Sequence, residues 1–140
     1  MIEPSVAGLD LSISSAQKTS LSTRFYGFVP NKKDIEKIIT KCTIATALYL
    51  PETRNVSNYT DNSKIKDYLS FGLPVITTNI PSAEEVKKKR AGIIINYQKP
   101  QEFIDAISTI ISDYKSFQEN SLNLSKKYYY KKIYPEIFRF

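Results

Sequence analysis

Short apolar runs alternate with amphipathic stretches along most of the chain. Three of the runs are nearly free of polar residues, which is typical of parallel strands buried on both faces. The stretches between them have apolar residues at helical spacing, with Pro, Gly and acidic residues where helices begin or end. These patterns predict buried strands at residues 44–50, 74–78 and 92–96, and helices at residues 34–41, 63–71, 83–90, from Pro100 onward, and at about 114–130.

The beginning of the chain is less regular. Residues 9–13 alternate between apolar and polar positions and predict a short strand, and residues 24–26 predict a second strand that ends at Gly27. We expect residues 1–22 to be a divergent or truncated start of the domain. Cys42 follows the first predicted helix and is expected to be a small core residue.

The order of predicted elements is β-α-β-α-β-α-β-α-α. Strands that alternate with helices predict an α/β fold, a parallel sheet with helices on both faces. We therefore expect residues 1–140 to form a single Rossmann-like domain, in which residues 113–140 are a C-terminal helical tail.

The amino-acid composition limits the kinds of catalytic and binding site that this chain can contain. The chain has 140 residues, 41% of them hydrophobic, which fits one globular domain. It has no histidine and one cysteine, so a Ser-His-Asp triad, a Cys-His pair and a His-ligated metal are all excluded within this chain. The four glycines are isolated, so neither a dinucleotide fingerprint nor a P-loop is present. We expect no metal and no cofactor.

The net charge of +6 predicts an anionic partner. No apolar run approaches the ~20 residues of a membrane span, and the N-terminus does not resemble a signal peptide. We expect a cytoplasmic location, with peripheral contact at the inner face of the membrane as an alternative. The basic and aromatic residues 126–132 have three interpretations: tyrosines that pack on the domain with solvated lysines, contact with an anionic membrane, and contact with nucleic acid. The last is the least favoured, so we expect no nucleic-acid partner.

The predicted helix at residues 63–71 begins after a polar loop and is the best candidate for a binding site. Its first amides and its dipole favour a phosphate, to which Ser63 can add a hydroxyl and Lys64 an ammonium. Lys64 and Asp67 share one face of the helix, where the cation can bind a diphosphate and the carboxylate can bind sugar hydroxyls. Alternatively, Asp61, Asn62 or Ser63 is an N-cap, and Lys64 and Asp67 form a surface ion pair that contributes under ~0.5 kcal/mol.

Three segments follow one another along the chain: FYGFVP at residues 25–30, SKIKDYLSFGLPVITT at 63–78 and AGIII at 91–95. In this order they resemble the C-terminal, donor-binding half of a GT-B glycosyltransferase of group 1, whose motif reads roughly P-S-K-x-x-E-Y-x-A-x-G-x-P-V-I-x-T. The resemblance implies that Asp67 replaces a glutamate that binds ribose, and that the segment from Asp61 to Lys64 holds the diphosphate and donor sugar. It also implies that Gly27 and Val29 lie against the base. The implied substrate-binding set is Asp61, Asn62, Ser63, Lys64, Asp67, Gly27 and Val29.

The chain departs from that family in two places. Tyr59 stands where many members have a second glutamate, and residues 1–22 lack a match to the family's Arg and Lys that neutralise the diphosphate. No residue of this chain is assigned a catalytic role by the resemblance.

The resemblance implies the donor-binding domain of a hexosyltransferase that acts in polysaccharide biosynthesis. Such a domain binds a nucleotide-diphosphate sugar for transfer to a glycan or lipid-linked acceptor, without a metal. We expect it to be inactive without an acceptor-binding N-terminal domain or subunit. The alternatives are half of a sugar-nucleotide epimerase, and a degenerate Rossmann-like module that binds a protein partner or an anionic membrane surface.

Overall fold

A computed structural model describes residues 24–50 and 62–129 of the chain. Contacts between residues divide the chain into two compact units, Met1–Lys37 and Ile38–Phe140, which are described separately. The predicted strand at residues 9–13 lies outside the described residues. Within the described ranges, no helix combines the length and the apolar composition needed to cross a membrane.

The first unit is described from Arg24 onward. Helix α1 (Lys32–Ile39) begins here and has no buried residue. Asn31 precedes it, and its Oδ1 accepts a hydrogen bond of 3.0 Å from the Lys33 N–H. The strand predicted at residues 24–26 is wrong, since this segment has no regular secondary structure. A strand needs a neighbour for its backbone groups, and none pairs with it among the residues described.

The second unit contains a parallel sheet of three described strands, β1 (Ala45–Ala47), β2 (Val75–Thr78) and β3 (Gly92–Ile95), in the order β1-β2-β3. Ala45 lies opposite Val75, which in turn lies opposite Gly92. The three predicted strands in this unit are confirmed, although each is shorter than its apolar run.

Helices connect and follow these strands. Gly72, whose φ of +71° suits glycine, lies just beyond the end of the first of them. The predicted helix at residues 83–90 is shorter than expected and begins with a 3-10 turn. The helical elements are α2 (Ser63–Ser70), a 3-10 turn (Pro81–Ala83), α3 (Glu84–Lys88), α4 (Pro100–Ser112), α5 (Tyr114–Ser125) and a second 3-10 turn (Lys126–Tyr128).

Adjacent residues of β2 enter different hydrophobic clusters, because successive side chains of a strand point to opposite faces. Val75 packs in the cluster that contains Leu69 of α2 and Val86 of α3. Ile76 packs in the cluster that contains Ile110 of α4 and Phe117 of α5. Helices therefore cover both faces of the sheet, and the predicted α/β fold class is confirmed.

Cys42 is exposed, so the prediction that it lies in the core is wrong. Helix α1 ends at Ile39, two residues before the predicted end at residue 41, and none of its residues is buried, so no packed helix end exists for Cys42 to join. The Cys42 Sγ lies 3.5 Å from the Ile38 carbonyl oxygen.

Candidate functional site

The carboxyl ends of the three parallel strands meet at one edge of the sheet, which we call the carboxyl edge. It comprises the ends of β1, β2 and β3 at Ala47, Thr78 and Ile95. Ligands of open α/β sheets bind outside this edge.

Two buried threonines hold the carboxyl edge together. The Thr77 hydroxyl donates to the Ala47 carbonyl oxygen at 2.7 Å. The Thr78 hydroxyl donates to the Tyr49 carbonyl oxygen at 2.5 Å and accepts from the Tyr49 N–H at 2.9 Å. The bonds between Thr78 and Tyr49 continue the connection between β1 and β2 beyond their paired residues. Burial, and to a smaller extent Tyr68, raise the pKa of the Tyr49 hydroxyl.

Sequence reasoning assigned no role to Thr77 and Thr78. Both side chains are almost fully buried, and the hydroxyl of each donates a hydrogen bond to a backbone carbonyl oxygen. The available signal was a pair of hydroxyl residues at the end of an otherwise apolar strand, where a buried polar group needs a hydrogen bond.

Asn62 is at the N-cap position of α2 and is buried, with 8% of its surface exposed. Its side chain makes no capping hydrogen bond. Instead, its Nδ2 donates to the Ser82 Oγ at 2.8 Å. Ser82 belongs to the 3-10 turn that follows β2, so this bond joins the beginning of α2 to the carboxyl edge.

Ser63 and Lys64 form the exposed beginning of α2. The first turn of α2 contains no acidic residue. In the described part of the chain, the backbone N–H groups of Ser63 and Lys64 donate to no acceptor. The beginning of α2 therefore combines two unused N–H donors with the Ser63 hydroxyl and the Lys64 ammonium. Groups of this kind at a helix N-terminus can bind an anion.

Asp67 is exposed and lies one turn further along α2. Its backbone carbonyl accepts from the Ser70 hydroxyl at 2.6 Å. Among the described ion pairs, none joins Lys64 to Asp67. The two side chains therefore do not form the ion pair that the alternative interpretation required.

The other predicted site residues lie elsewhere. Gly27 and Val29 belong to the first unit, where Gly27 has a φ of +63° and open space around its α-carbon. Their participation in a site with α2 stays a prediction. Asp61 and Tyr59 lie outside the described residues.

The 3-10 turn at Lys126–Tyr128 borders the beginning of α2. The Lys127 Nζ lies 2.8 and 2.7 Å from the two carboxylate oxygens of Glu85. This hydrogen bonding holds the pKa of Glu85 below its usual value. The Lys66 Nζ lies 4.8 Å from the centre of the Tyr128 ring. A crevice of about 210 Å³ remains between these groups, next to Asn62 and Ser82.

For Tyr128, the structure agrees with the interpretation in which the tyrosines pack on the domain, because this residue packs against the cluster around Leu69. Tyr129 has 56% of its surface exposed. Tyr130, Lys131 and Lys132 lie outside the described residues, so membrane contact through the tail stays a prediction.

A larger open cleft of about 1520 Å³ lies at the ends of β2 and β3. Its lining mixes exposed charged and amide side chains with the ends of the strands. The lining includes Asn79, Glu84, Lys87, Lys88, Tyr97 and Gln98. Among the described residues, no three Cys, Asp or Glu side chains lie close enough together to hold a metal ion.

Comparison with known proteins identifies a family. The sequence profile of the family described as glycosyl transferases group 1 matches residues 6–113. No curated protein and no solved structure matches the chain significantly. The matched range covers well over half of the chain and includes all of the predicted site residues. This chain therefore belongs to the group 1 glycosyltransferases.

Proposed function

We propose that this chain is the donor-binding domain of a glycosyltransferase and binds a nucleotide-diphosphate sugar. One observation carries the proposal. Within the range that matches the family, α2 begins beside the carboxyl edge with unused N–H groups, Lys64, and no acidic residue in its first turn.

The diphosphate of the donor is the group that best fits this helix end. A helix N-terminus has a partial charge equivalent to roughly +0.5, and Lys64 adds a full positive charge. When the sugar is transferred, negative charge develops on the departing diphosphate. Donors that are already aimed at this position stabilise the charge without rearranging.

Asp67 is proposed to bind the ribose. A carboxylate only accepts hydrogen bonds, and the two ribose hydroxyls are donors. Asp67 is exposed and lies one helical turn from Ser63 and Lys64. Contributions of Asp61, Asn62, Gly27 and Val29 to donor binding belong to the same proposal.

The proposed binding needs no metal, because the ammonium of Lys64 and the helix end supply the positive charge. Transfer needs more than this domain. A second, acceptor-binding domain is proposed to hold the glycan or lipid-linked acceptor and to complete the catalytic groups. We therefore expect the 140-residue chain to bind the donor without transferring its sugar.

Titration calorimetry tests donor binding directly. UDP, GDP and their hexose derivatives are titrated into the chain, once with EDTA and once with Mg²⁺. We expect one nucleotide series to bind with the same affinity in both buffers. Absence of binding by all of them up to millimolar concentration contradicts the proposal, and binding only with Mg²⁺ contradicts its metal-free form.

The variant Asp67→Ala tests the ribose contact. Loss of a charged hydrogen-bond acceptor should weaken binding of the preferred nucleoside diphosphate by about tenfold or more. The melting temperature should hardly change, because the side chain is exposed. Asp105→Ala is the matched control, since Asp105 is an exposed aspartate of α4. Equal affinity of Asp67→Ala and the unaltered chain would refute the ribose contact.

A further inference from the structure

We infer that Asn62 and Ser82 are positioning residues, which hold the first turn of α2 in the orientation that binds the donor diphosphate. This inference rests on the proposed function. It differs from the direct contact with the donor that the family resemblance implies for Asn62.

The direction of the Asn62 side chain is the first argument. Asn62 has the extended backbone of an N-cap, with φ −74° and ψ 93°, but its side chain makes no capping bond to α2. A capping side chain would satisfy one of the first N–H groups of the helix. Because the Asn62 Nδ2 donates to Ser82 instead, the N–H groups of Ser63 and Lys64 are left for an anion.

The second argument is that Ser82 belongs to a turn that is fixed by packing and hydrogen bonding. The residue before the turn and the last residue of the turn are buried, with 2% of Ile80 and 0% of Ala83 exposed. The Ala83 N–H donates to the Ile80 carbonyl oxygen at 2.9 Å. Pro81, the first residue of the turn, has a restricted φ. A hydrogen bond to this turn therefore fixes the beginning of α2 relative to β2.

The third argument concerns burial. An amide with only 8% of its surface exposed cannot readily exchange its protein partner for water. If Ser82 loses its hydroxyl, the hydrogen bond between the beginning of α2 and the turn after β2 is lost. Anion binding would then lose the alignment of the N–H groups of Ser63 and Lys64.

The test compares Asn62→Ala, Ser82→Ala, their double variant and Ser82→Thr in the full chain. Titration calorimetry measures the affinity for UDP and GDP well below the melting temperature. Heteronuclear NMR follows the amide signals of Ser63 and Lys64 as nucleotide is added. We expect each alanine variant to bind about fivefold to tenfold more weakly and the double variant no more weakly than either. Ser82→Thr, which keeps the hydroxyl, should restore affinity and the two amide shifts.

Two results would overturn the inference. If Asn62→Ala weakens binding while Ser82→Ala does not, Asn62 contacts the donor directly. If both variants lower the melting temperature and leave nucleotide affinity unchanged, the bond only stabilises the fold. Failure of the unaltered chain to bind either nucleotide is a different result, because it contradicts the proposed function itself.

Discussion

Helices α2 and α4 each begin after the carboxyl end of a parallel strand, but their first turns differ in charge. The first turn of α2 has Lys64 and no acidic residue. The first turn of α4 has Glu102, whose carboxylate accepts from the Asn96 N–H at 2.8 Å. Lys99 lies 3.4 Å from the same carboxylate. Among the residues that the structure describes, α4 has a carboxylate at its beginning and α2 does not.

If α2 binds the diphosphate as proposed, position at the carboxyl edge is not sufficient for an anion site, and the charge of the first turn also matters. A helix N-terminus that holds its own carboxylate repels a phosphate and already uses part of its positive potential. Helix α3 resembles α4, since Glu84 and Glu85 occupy its first turn. Of the three helices that follow described strands, α2 has the first turn best suited to a diphosphate.

The largest expected effect comes from Gly92→Ala, which would disturb the start of β3 in the sheet against which both helices pack. A Cβ at Gly92 would lie 2.0 Å from the Val75 carbonyl oxygen and 2.8 Å from the Val86 Cγ1. Because the first of these is a backbone atom, β2 and β3 would have to separate. We expect the free energy of unfolding to fall by more than about 3 kcal/mol, as measured by urea denaturation.

Gly27→Ala is the control for Gly92→Ala. Apart from Gly27 itself and its two chain neighbours, no described atom lies within 4 Å of a Cβ at Gly27, so its φ of +63° is what opposes the substitution. This backbone strain costs about 1–2 kcal/mol. Similar urea midpoints for Gly92→Ala and the unaltered chain would mean that the backbones do not approach as closely as described.

A smaller effect is expected for Lys64→Glu, which would make the beginning of α2 resemble that of α4. The change replaces an attractive charge by a repulsive one beside the proposed diphosphate. We expect the affinity for the preferred nucleoside diphosphate to fall by more than about tenfold. Lys115→Glu, at an exposed position of α5, makes the same change in net charge and should have little effect. Calorimetry in which both variants lose equal affinity would point to overall charge rather than a site at α2.

The smallest effect is expected for Glu102→Gln, and it depends on pH. The hydrogen bond from the Asn96 N–H holds the pKa of Glu102 below its usual value of 4.5, and Lys99 adds to this. A carboxyl group with a lowered pKa in the folded state contributes stability above its unfolded pKa. That contribution is lost as the pH falls through the lower, folded value.

We therefore expect Glu102→Gln to reduce the melting temperature at pH 7 and to have less effect near pH 3. Glu119→Gln, at an exposed position of α5, is the control for loss of a carboxylate. A deficit for Glu102→Gln that is as large at pH 3 as at pH 7 would show that its charge does not matter.

The second unit could be predicted from the sequence in most respects. Apolar runs bounded by Pro51, Pro74 and Asn96 identified the strands, and helical spacing identified α2 and α4. The beginning of α2 was also predicted as the candidate site, because its polar loop follows a buried strand directly. Each of these features is local in sequence, so a pattern of a few residues is enough to predict it.

The first unit shows the limit of such patterns. The segment from Phe25 to Phe28 is rich in aromatic residues, which favour strands, but it forms no strand. Phe25, Tyr26 and Phe28 have 55%, 51% and 91% of their surfaces exposed. Strand propensity depends on packing against a neighbour, and the sequence does not identify a neighbour. Cys42 was misplaced for a similar reason, because the spacing did not show where α1 ends.

The sequence by itself determined the alternation of strands and helices, the burial of β2, and the charge of each helix beginning. Only the tertiary structure decided which groups meet at the carboxyl edge. Ser82 lies 20 residues after Asn62, and Thr77 lies 30 residues after Ala47. Parallel strands need crossover connections, so residues far apart in sequence meet at one edge of the sheet. These hydrogen bonds form only because the fold brings those residues together, so no local sequence pattern predicts them.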